Sequence, residues 1–268
     1  MARKTAWPAL ALLASLLAAC PRPAEKWDPE ERVTYGSGGE TLRGFLVRDE
    51  TLPGRRPGVL VAHDWWGQDE YARRRARMLA DLGYVAFALD LFGEGRQAGS
   101  PDEAMKMASE VLADPVAAVA RFRAGYEWLR AHEACDPARI AAIGYGFGGT
   151  MVIHAARAGL PLSGVVSFHG NLRLAAGAPE GPVTAKILVC HGVSDMFVPV
   201  EEVEGLRTAL AGTAADLRVI EYPGAQHSFT VPEANVIAKK WRLPVAYFPS
   251  MDRKSWQDMK DFLAEVLR

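Results

Sequence analysis

The sequence has few cysteines and no excess of charge. Its 268 residues include three cysteines, and the formal net charge is -1. Because Lys and Arg are balanced by Asp and Glu, no basic face is available for binding nucleic acid. No spacing of Cys, His, Asp or Glu is typical of a metal site. We therefore expect no nucleic-acid partner, no metal and no cofactor.

Long hydrophobic runs are also scarce, and the longest lies between Pro8 and Ala19, after the basic residues Arg3 and Lys4. It is shorter than the about 20 residues of a transmembrane helix. A basic start followed by a short apolar run is typical of a secretory signal. Whether the segment is an ordinary signal peptide or a lipoprotein-type signal peptide depends on the residues that follow.

The apolar run ends in Leu17-Ala18-Ala19-Cys20, which resembles the lipobox of bacterial lipoproteins. The resemblance implies that Cys20 becomes the first residue and carries lipid. We therefore expect a lipoprotein-type signal peptide over residues 1–19 and a tether over residues 20–30. A lipid anchor at Cys20 would hold the exported domain on a membrane of the bacterial cell envelope. An ordinary signal peptide that contains a cysteine remains the alternative.

After residue 30 the chain alternates between short apolar runs and amphipathic segments, without internal repeats. Runs bounded by Gly, Pro or Asp and rich in β-branched residues predict strands of a parallel sheet that is covered on both faces. They span residues 57–63, 84–90, 139–145, 163–169, 186–191 and 217–222. The segments 32–35 and 41–48 flank a glycine-rich turn and predict a hairpin at the sheet edge.

Helices are predicted where apolar residues recur with helical spacing. In residues 68–82 the apolar side includes Tyr71 and Leu79, and the four arginines are expected elsewhere on the helix. Residues 252–268 show a similar pattern. Strands that alternate with helices predict one α/β domain over residues 31–268.

A glycine-rich turn, Gly144-Tyr145-Gly146-Phe147-Gly148, follows one predicted strand and opens a helix. In this context the spacing is typical of a nucleophile elbow, whose flanking glycines make room for a sharp turn. The position of the attacking side chain is occupied by Gly146. A phosphate-binding turn is disfavoured, because the glycine spacing differs from the dinucleotide fingerprint and no acidic residue is well placed about twenty residues on.

Two further polar residues follow later strands. Asp195 comes just after the predicted strand 186–191, and His227 just after the strand 217–222. The chain order of elbow, Asp and His is that of α/β-hydrolases. Ligands of open α/β sheets bind at the carboxyl ends of the strands. Together these features predict an α/β-hydrolase fold with a mostly parallel central sheet flanked by helices.

The sequence resembles the dienelactone hydrolase family over essentially the whole of residues 31–268. The motifs that carry the resemblance are His63-Asp64-Trp65-Trp66-Gly67, the elbow at 144–150, Phe168-His169-Gly170, and the segments 191–195 and 224–229. The family carries a cysteine nucleophile at the position of Gly146. The resemblance further implies that Asp195 is the acid and His227 the base of the triad.

Other site residues are implied by the same resemblance. Asp64 falls where family members carry an acidic residue that contacts the resting thiol. The oxyanion hole would consist of the backbone amides of Phe147 and Trp65, which do not depend on the side chain at position 146. Three further candidates for substrate contacts have other grounds. Arg96 lies in a loop comparable to one that carries arginines in the family, Trp66 could line an aromatic pocket, and His169 ends a strand that faces the cleft.

Gly146 leaves three interpretations open. The protein binds an ester or lactone without turnover; or His227 activates water directly; or Gly146 is a variant of an ordinary thiol hydrolase. The neighbouring hydroxyl groups of Thr150, Ser194 and Ser228 are expected to be structural. We expect a monomeric hydrolase of a carboxylic ester or lactone, impaired by the absent nucleophile. The alternative is an inactive, membrane-anchored ligand-binding pseudoenzyme.

Overall fold

The computed structural model describes residues 31–173 and 177–268. The predicted signal peptide, the tether and Cys20 lie outside the described residues. Eight strands form one sheet: β1 (Glu31–Ser37), β2 (Glu40–Val47), β3 (Arg56–Ala62), β4 (Val85–Ala88), β5 (Cys135–Tyr145), β6 (Gly164–Phe168), β7 (Lys186–Gly192) and β8 (Leu217–Tyr222). Their order across the sheet is β1-β2-β4-β3-β5-β6-β7-β8.

The sheet is parallel from β4 to β8, and its edge carries the antiparallel hairpin of β1 and β2. The prediction of a mostly parallel sheet with an edge hairpin is thus confirmed. In the central strand β3, Val59, Leu60 and Val61 are fully buried. Strands that are apolar on both sides require helices on both faces, because neither face can be left to water.

The described helices are α1 (Glu70–Ala80), α2 (Pro101–Ala113), α3 (Pro115–Ala131), α4 (Phe147–Arg157), α5 (Val200–Leu210), α6 (Ala234–Trp241) and α7 (Pro249–Val266). The helices predicted over 68–82 and 252–268 correspond to α1 and α7. None of the helices within the described residues combines the length and hydropathy needed to cross a bilayer.

One expectation about α1 is wrong. Arg75 does not lie away from the apolar side of the helix but is buried against Tyr71, with 3% of its surface exposed. Its guanidinium donates to Asp252 Oδ1 at 2.6 Å and to the carbonyl oxygen of Thr230 at 2.7 Å. The partner carboxylate comes from α7, 177 residues further along the chain. Helical periodicity alone does not reveal a buried ion pair between distant segments.

The cysteines Cys135 and Cys190 are both buried and both free thiols. Cys190 lies in β7, within the apolar layer beneath α7. Burial raises the pKa of the Cys190 thiol to about 12. It therefore behaves as a small apolar side chain rather than as an attacking group.

Candidate active site

Gly146 lies at the sharp turn between β5 and α4. Its backbone angles, φ +49° and ψ −115°, are ones that side-chain-bearing residues rarely adopt. The turn is fixed by the Gly146 N–H, which donates to the Phe168 carbonyl oxygen at 3.0 Å. Gly148 allows α4 to approach β3, since a Cβ atom there would lie 2.5 Å from the Ala62 carbonyl carbon. The local backbone is therefore that of a nucleophile elbow without its nucleophile.

Asp195 follows β7 and is held by the turn that it begins. Its Oδ1 accepts hydrogen bonds from the amides of Phe197 at 2.8 Å and Val198 at 3.1 Å. Its Oδ2 lies 2.9 Å from His227 Nδ1. Because a carboxylate only accepts hydrogen bonds, the proton of a neutral His227 resides on Nδ1. Nε2 is then free to act as a base.

The ring of His227 is packed between two other rings. Phe197 contacts one side with ring centroids 5.0 Å apart, and His169 contacts it at 5.2 Å. Burial lowers the pKa of His227, but the hydrogen bond and charge of Asp195, with the charge of Asp64, outweigh burial. The pKa of His227 consequently lies above the ordinary value of histidine. A hydrogen-bonded imidazole with a raised pKa has the properties that general-base catalysis requires.

Asp64, after β3, takes an unexpected position. Its Oδ1 accepts hydrogen bonds from the amide of Trp65 at 2.7 Å and from the amide of Phe147 at 3.3 Å. These are the two amides that the family resemblance assigns to the oxyanion hole. The carboxylate therefore occupies the place that the family resemblance gives to a substrate oxyanion.

The same carboxylate fills the space above Gly146. A Cβ atom built on Gly146 would overlap Asp64 Oδ1 and would lie 2.7 Å from Asp64 Cγ. Burial raises the pKa of the Asp64 carboxyl, and the His227 charge and the two amides only partly oppose this effect. The absent side chain is thus replaced, in space, by an acidic group from another loop.

The peptide of Asp64 is itself braced by the buried His63. The Nε2 atom of His63 accepts from the Leu91 amide at 3.1 Å, so the proton resides on Nδ1. That proton is donated to the Asp64 carbonyl oxygen at 2.7 Å. His63 therefore fixes the loop that presents Asp64. The sequence gives no signal for this brace beyond the position of His63 at the end of a strand.

A pocket of about 390 Å³ lies over these groups. Asp64, Gly146, Phe147 and His227 form its floor, and its other walls are largely apolar, with Leu112, Val231, Ile237, Leu243 and Val245 among them. Trp65 and Trp66 also line it, with ring centroids 5.3 Å apart. The volume and lining suit a small, mostly apolar ligand.

Two predicted contact residues lie elsewhere. Arg96 is not among the residues that line the pocket, because its guanidinium turns back to the carbonyl oxygen of Phe92. His169 lies behind His227 rather than in the pocket, and its Nε2 pairs with Thr230 Oγ1 at 2.8 Å. Trp66 does line the pocket. For His169, the position at the end of a strand did not determine which way the side chain turns.

Within the described residues, none of the neighbouring hydroxyl groups forms a hydrogen bond with His227. Thr150 lines the pocket, but its Oγ1 donates to the Asn171 carbonyl oxygen at 2.8 Å. Ser194 is exposed, and Ser228 lines the pocket without a hydrogen bond to His227 among the described residues. Within residues 31–173 and 177–268, no group of three or more His, Cys, Asp or Glu residues is arranged to hold a metal ion.

The sheet, the elbow after β5 and the Asp195–His227 pair define an α/β-hydrolase fold. The model of the Dienelactone hydrolase family matches residues 42–267, and the chain belongs to that family. Protein usf of Aquifex pyrophilus is 26% identical over 229 residues, which cover 81% of this chain and 97% of that protein.

Two solved structures are similar over nearly their whole length. The structure named m3DLH has a TM-score of 0.82 and 34% identity, and the match covers 89% of this chain and 98% of that chain. A dienelactone hydrolase-like promiscuous phosphotriesterase from metagenomic libraries has a TM-score of 0.81 and 31% identity, with the same coverage. The family relationship supports a hydrolase.

Proposed function

We propose that this protein hydrolyses a carboxylic ester or lactone with a water molecule that His227 activates. The observation that carries the proposal is the hydrogen bond of 2.9 Å between Asp195 Oδ2 and His227 Nδ1, beside a pocket whose floor includes Gly146. Such a pair orients the imidazole and stabilises the imidazolium that forms when Nε2 accepts a proton. Membership of the dienelactone hydrolase family supports the ester or lactone as substrate.

The role of the oxyanion hole limits the expected rate. A substrate carbonyl needs the amides of Trp65 and Phe147, and Asp64 Oδ1 already accepts from both. The substrate must displace this carboxylate before the developing charge is stabilised. Without a nucleophile, a site of this kind retains at best roughly 10³ to 10⁴-fold acceleration over water. Slow turnover is the consequence.

The test is the hydrolysis of p-nitrophenyl acetate by the purified full chain and by His227→Ala. We expect His227→Ala to abolish the hydrolysis above background. His132→Ala is the matched control, since His132 lies at the end of α3 and does not line the pocket. Equal rates for the chain and for folded His227→Ala would overturn the proposal.

A second candidate is a binding protein without turnover, and the occupied oxyanion hole favours it. In that case a lactone or ester binds in the pocket with an affinity that His227→Ala leaves unchanged. Equilibrium binding of a slowly hydrolysed lactone to both proteins separates the candidates. Binding without product formation, unaffected by the substitution, supports the pseudoenzyme.

From the sequence we further propose that Cys20 carries lipid and anchors the domain to a bacterial membrane. The experiment is metabolic labelling with a fatty acid, followed by separation of membranes from the aqueous fraction. Cys20→Ser is expected to lose both the label and the membrane association. Membrane association without label would favour an uncleaved signal segment instead.

A further inference from the structure

The carboxylate of Asp64 has two oxygens in different surroundings. Oδ1 is held by the amides of Trp65 and Phe147, whereas Oδ2 accepts no hydrogen bond from the described residues. Asp64 lines the pocket, next to Gly146 and His227. One oxygen is thus fixed, and the other remains free to react.

We propose that Asp64 is a nucleophile that attacks saturated carbon, so that this pocket also hydrolyses small primary alkyl halides. This inference goes beyond ester hydrolysis because it assigns a different electrophile and a different attacking group to the pocket. It shares with the proposed function the base His227 and its partner Asp195.

The chemistry proceeds in two balanced steps. The lone pair of Asp64 Oδ2 forms a bond to the substrate carbon, while the electrons of the carbon–halogen bond leave with the halide ion. An alkyl ester of Asp64 results. His227 Nε2 then takes a proton from water, and the water oxygen adds to Asp64 Cγ. The bond between Cγ and Oδ2 breaks, and His227 returns the proton to the departing alcohol oxygen. The other proton of the water, now on the Asp64 carboxyl, is released to solvent, which restores the carboxylate; alkyl halide and water thus give alcohol, halide ion and a proton.

The position of Oδ1 explains why saturated carbon is the target. When water attacks the alkyl ester, negative charge develops on the oxygen that becomes the ester carbonyl, and this oxygen is Oδ1. It already accepts from Trp65 and Phe147, so the stabilising donors are in place before the charge appears. If Oδ2 attacked an ester carbonyl instead, the substrate oxygen would find these two donors occupied.

The remaining walls of the pocket suit an alkyl halide. A halide leaves as an anion and needs no proton, unlike the oxygen of an epoxide. Trp65 and Trp66 line the pocket, and no hydrogen bond donated by their indole N–H groups is found within the described residues. An indole N–H without a protein acceptor can donate to a halide ion. The apolar side chains of the pocket accommodate the alkyl chain.

The test uses the full chain, butyl bromide as probe and ¹⁸O-labelled water. We expect bromide release, with ¹⁸O entering the carboxylate of Asp64 over repeated turnovers. Asp69 and Glu70 are close to Asp64 in the sequence and fall on the same proteolytic peptide. They serve as internal controls, because we expect their carboxylates to stay unlabelled. Absence of label at Asp64 while bromide is released would overturn the proposal.

Variants give an independent measurement. His227→Gln is expected to accumulate a butyl ester on Asp64, because the first step does not need the base. Asp64→Asn is expected to lower bromide release by roughly 10⁴-fold or to background. Asp69→Asn is the matched control: Asp69 caps α1, and asparagine caps as well as aspartate. A folded His227→Gln chain without adduct, or bromide release unchanged in Asp64→Asn, would overturn the inference.

The ester assay separates this inference from the proposed function. Asp64→Ala empties the oxyanion hole and is expected to raise the hydrolysis of p-nitrophenyl acetate while abolishing bromide release. Bromide release that depends on Asp64 while His227→Ala leaves ester hydrolysis unchanged would contradict the proposed function alone. Ester hydrolysis that depends on His227 without any adduct on Asp64 would contradict the inference alone.

Discussion

The carboxylate of Asp64 and the missing side chain of Gly146 compete for one space. A Cβ atom on Gly146 would overlap Asp64 Oδ1, which accepts hydrogen bonds from the amides of Trp65 and Phe147. The glycine at position 146 and the placement of the Asp64 carboxylate are therefore coupled features of the site. Restoring a side chain at position 146 requires that Asp64 moves.

The first prediction concerns the restoration of a thiol. Gly146→Cys is expected to lower the free energy of unfolding by about 1–3 kcal/mol, since φ at this position is +49° and Asp64 must be displaced. Adding Asp64→Ala removes the overlap. The double variant is expected to be more stable than Gly146→Cys and to release a larger burst of p-nitrophenolate in stopped-flow measurements.

The control for this prediction adds His227→Ala to the double variant, which should remove the burst because the thiol loses its base. A folded Gly146→Cys/Asp64→Ala chain without any burst would show that the introduced thiol and His227 are not within reach of each other. Chemical denaturation curves of all variants establish the order of stability.

The second prediction concerns pH. Ester hydrolysis requires neutral His227, whose pKa is raised by Asp195 and Asp64 against the effect of burial, and whose ring also faces His169. The rate should therefore rise with pH through a midpoint above the ordinary histidine value of about 6.5. Asp195→Asn is expected to lower the midpoint and to reduce the rate, because the imidazole loses the charged partner that orients it and stabilises its protonated form.

The profile of kcat/KM against pH is the measurement. Asp216→Asn is the control, because Asp216 is exposed and precedes β8, whereas His227 follows the other end of that strand. A midpoint that stays in place in Asp195→Asn would contradict the role of Asp195 as the partner of the base.

The sequence indicated the strands, the edge hairpin and the order of elbow, acid and base, because each depends on local patterns. It did not indicate that Asp64 Oδ1 accepts hydrogen bonds from the amides of Trp65 and Phe147. That position depends on the amide of Phe147, 83 residues further along the chain. The direction of Arg96 and His169 was equally beyond local patterns, because a competing carbonyl or hydroxyl group captures each side chain.

The third prediction concerns the ion pair between α1 and α7. The side chains of Arg75 and Asp252 are 4% and 13% exposed, and their nearest N and O atoms are 2.6 Å apart. Arg75→Met leaves the carboxylate without its charged partner and is expected to lower the free energy of unfolding by about 3–5 kcal/mol. Arg75→Met/Asp252→Leu should recover most of this loss, since both charges are then absent.

Urea denaturation measures these changes, and Arg74→Met is the matched control. Arg74 forms its ion pair with Glu233 at the surface, where the two side chains are 36% and 52% exposed. Such a pair contributes only about 0–1 kcal/mol. Equal losses for Arg75→Met and Arg74→Met would contradict the buried role of Arg75.

The fourth prediction concerns stability in acid. Burial lowers the pKa of His63, although its hydrogen bond to Asp64 and the charge of Asp90 oppose this effect. The native state keeps His63 neutral because Nε2 accepts from the Leu91 amide. Unfolded histidine takes up a proton below pH of about 6.5. The His63 contribution to the free energy of unfolding should therefore be fully retained above pH of about 6.5. As the pH decreases from there, the free energy of unfolding should decrease, until the pKa of folded His63 is reached.

The measurement is urea denaturation at a series of pH values. His63→Gln removes the proton that the unfolded chain takes up at this position. The slope of the free energy of unfolding against pH, measured below pH of about 6.5, should therefore decrease by up to about 1.4 kcal/mol per pH unit. His227→Gln provides a comparison, because His227 contributes to the pH dependence of the free energy of unfolding with the opposite sign. Because the pKa of folded His227 is raised, its contribution is present below pH of about 6.5 and is lost as the pH rises through the folded pKa. His227→Gln should therefore flatten the curve on the alkaline side, and an unchanged acid slope in His63→Gln would contradict a neutral, clamped His63.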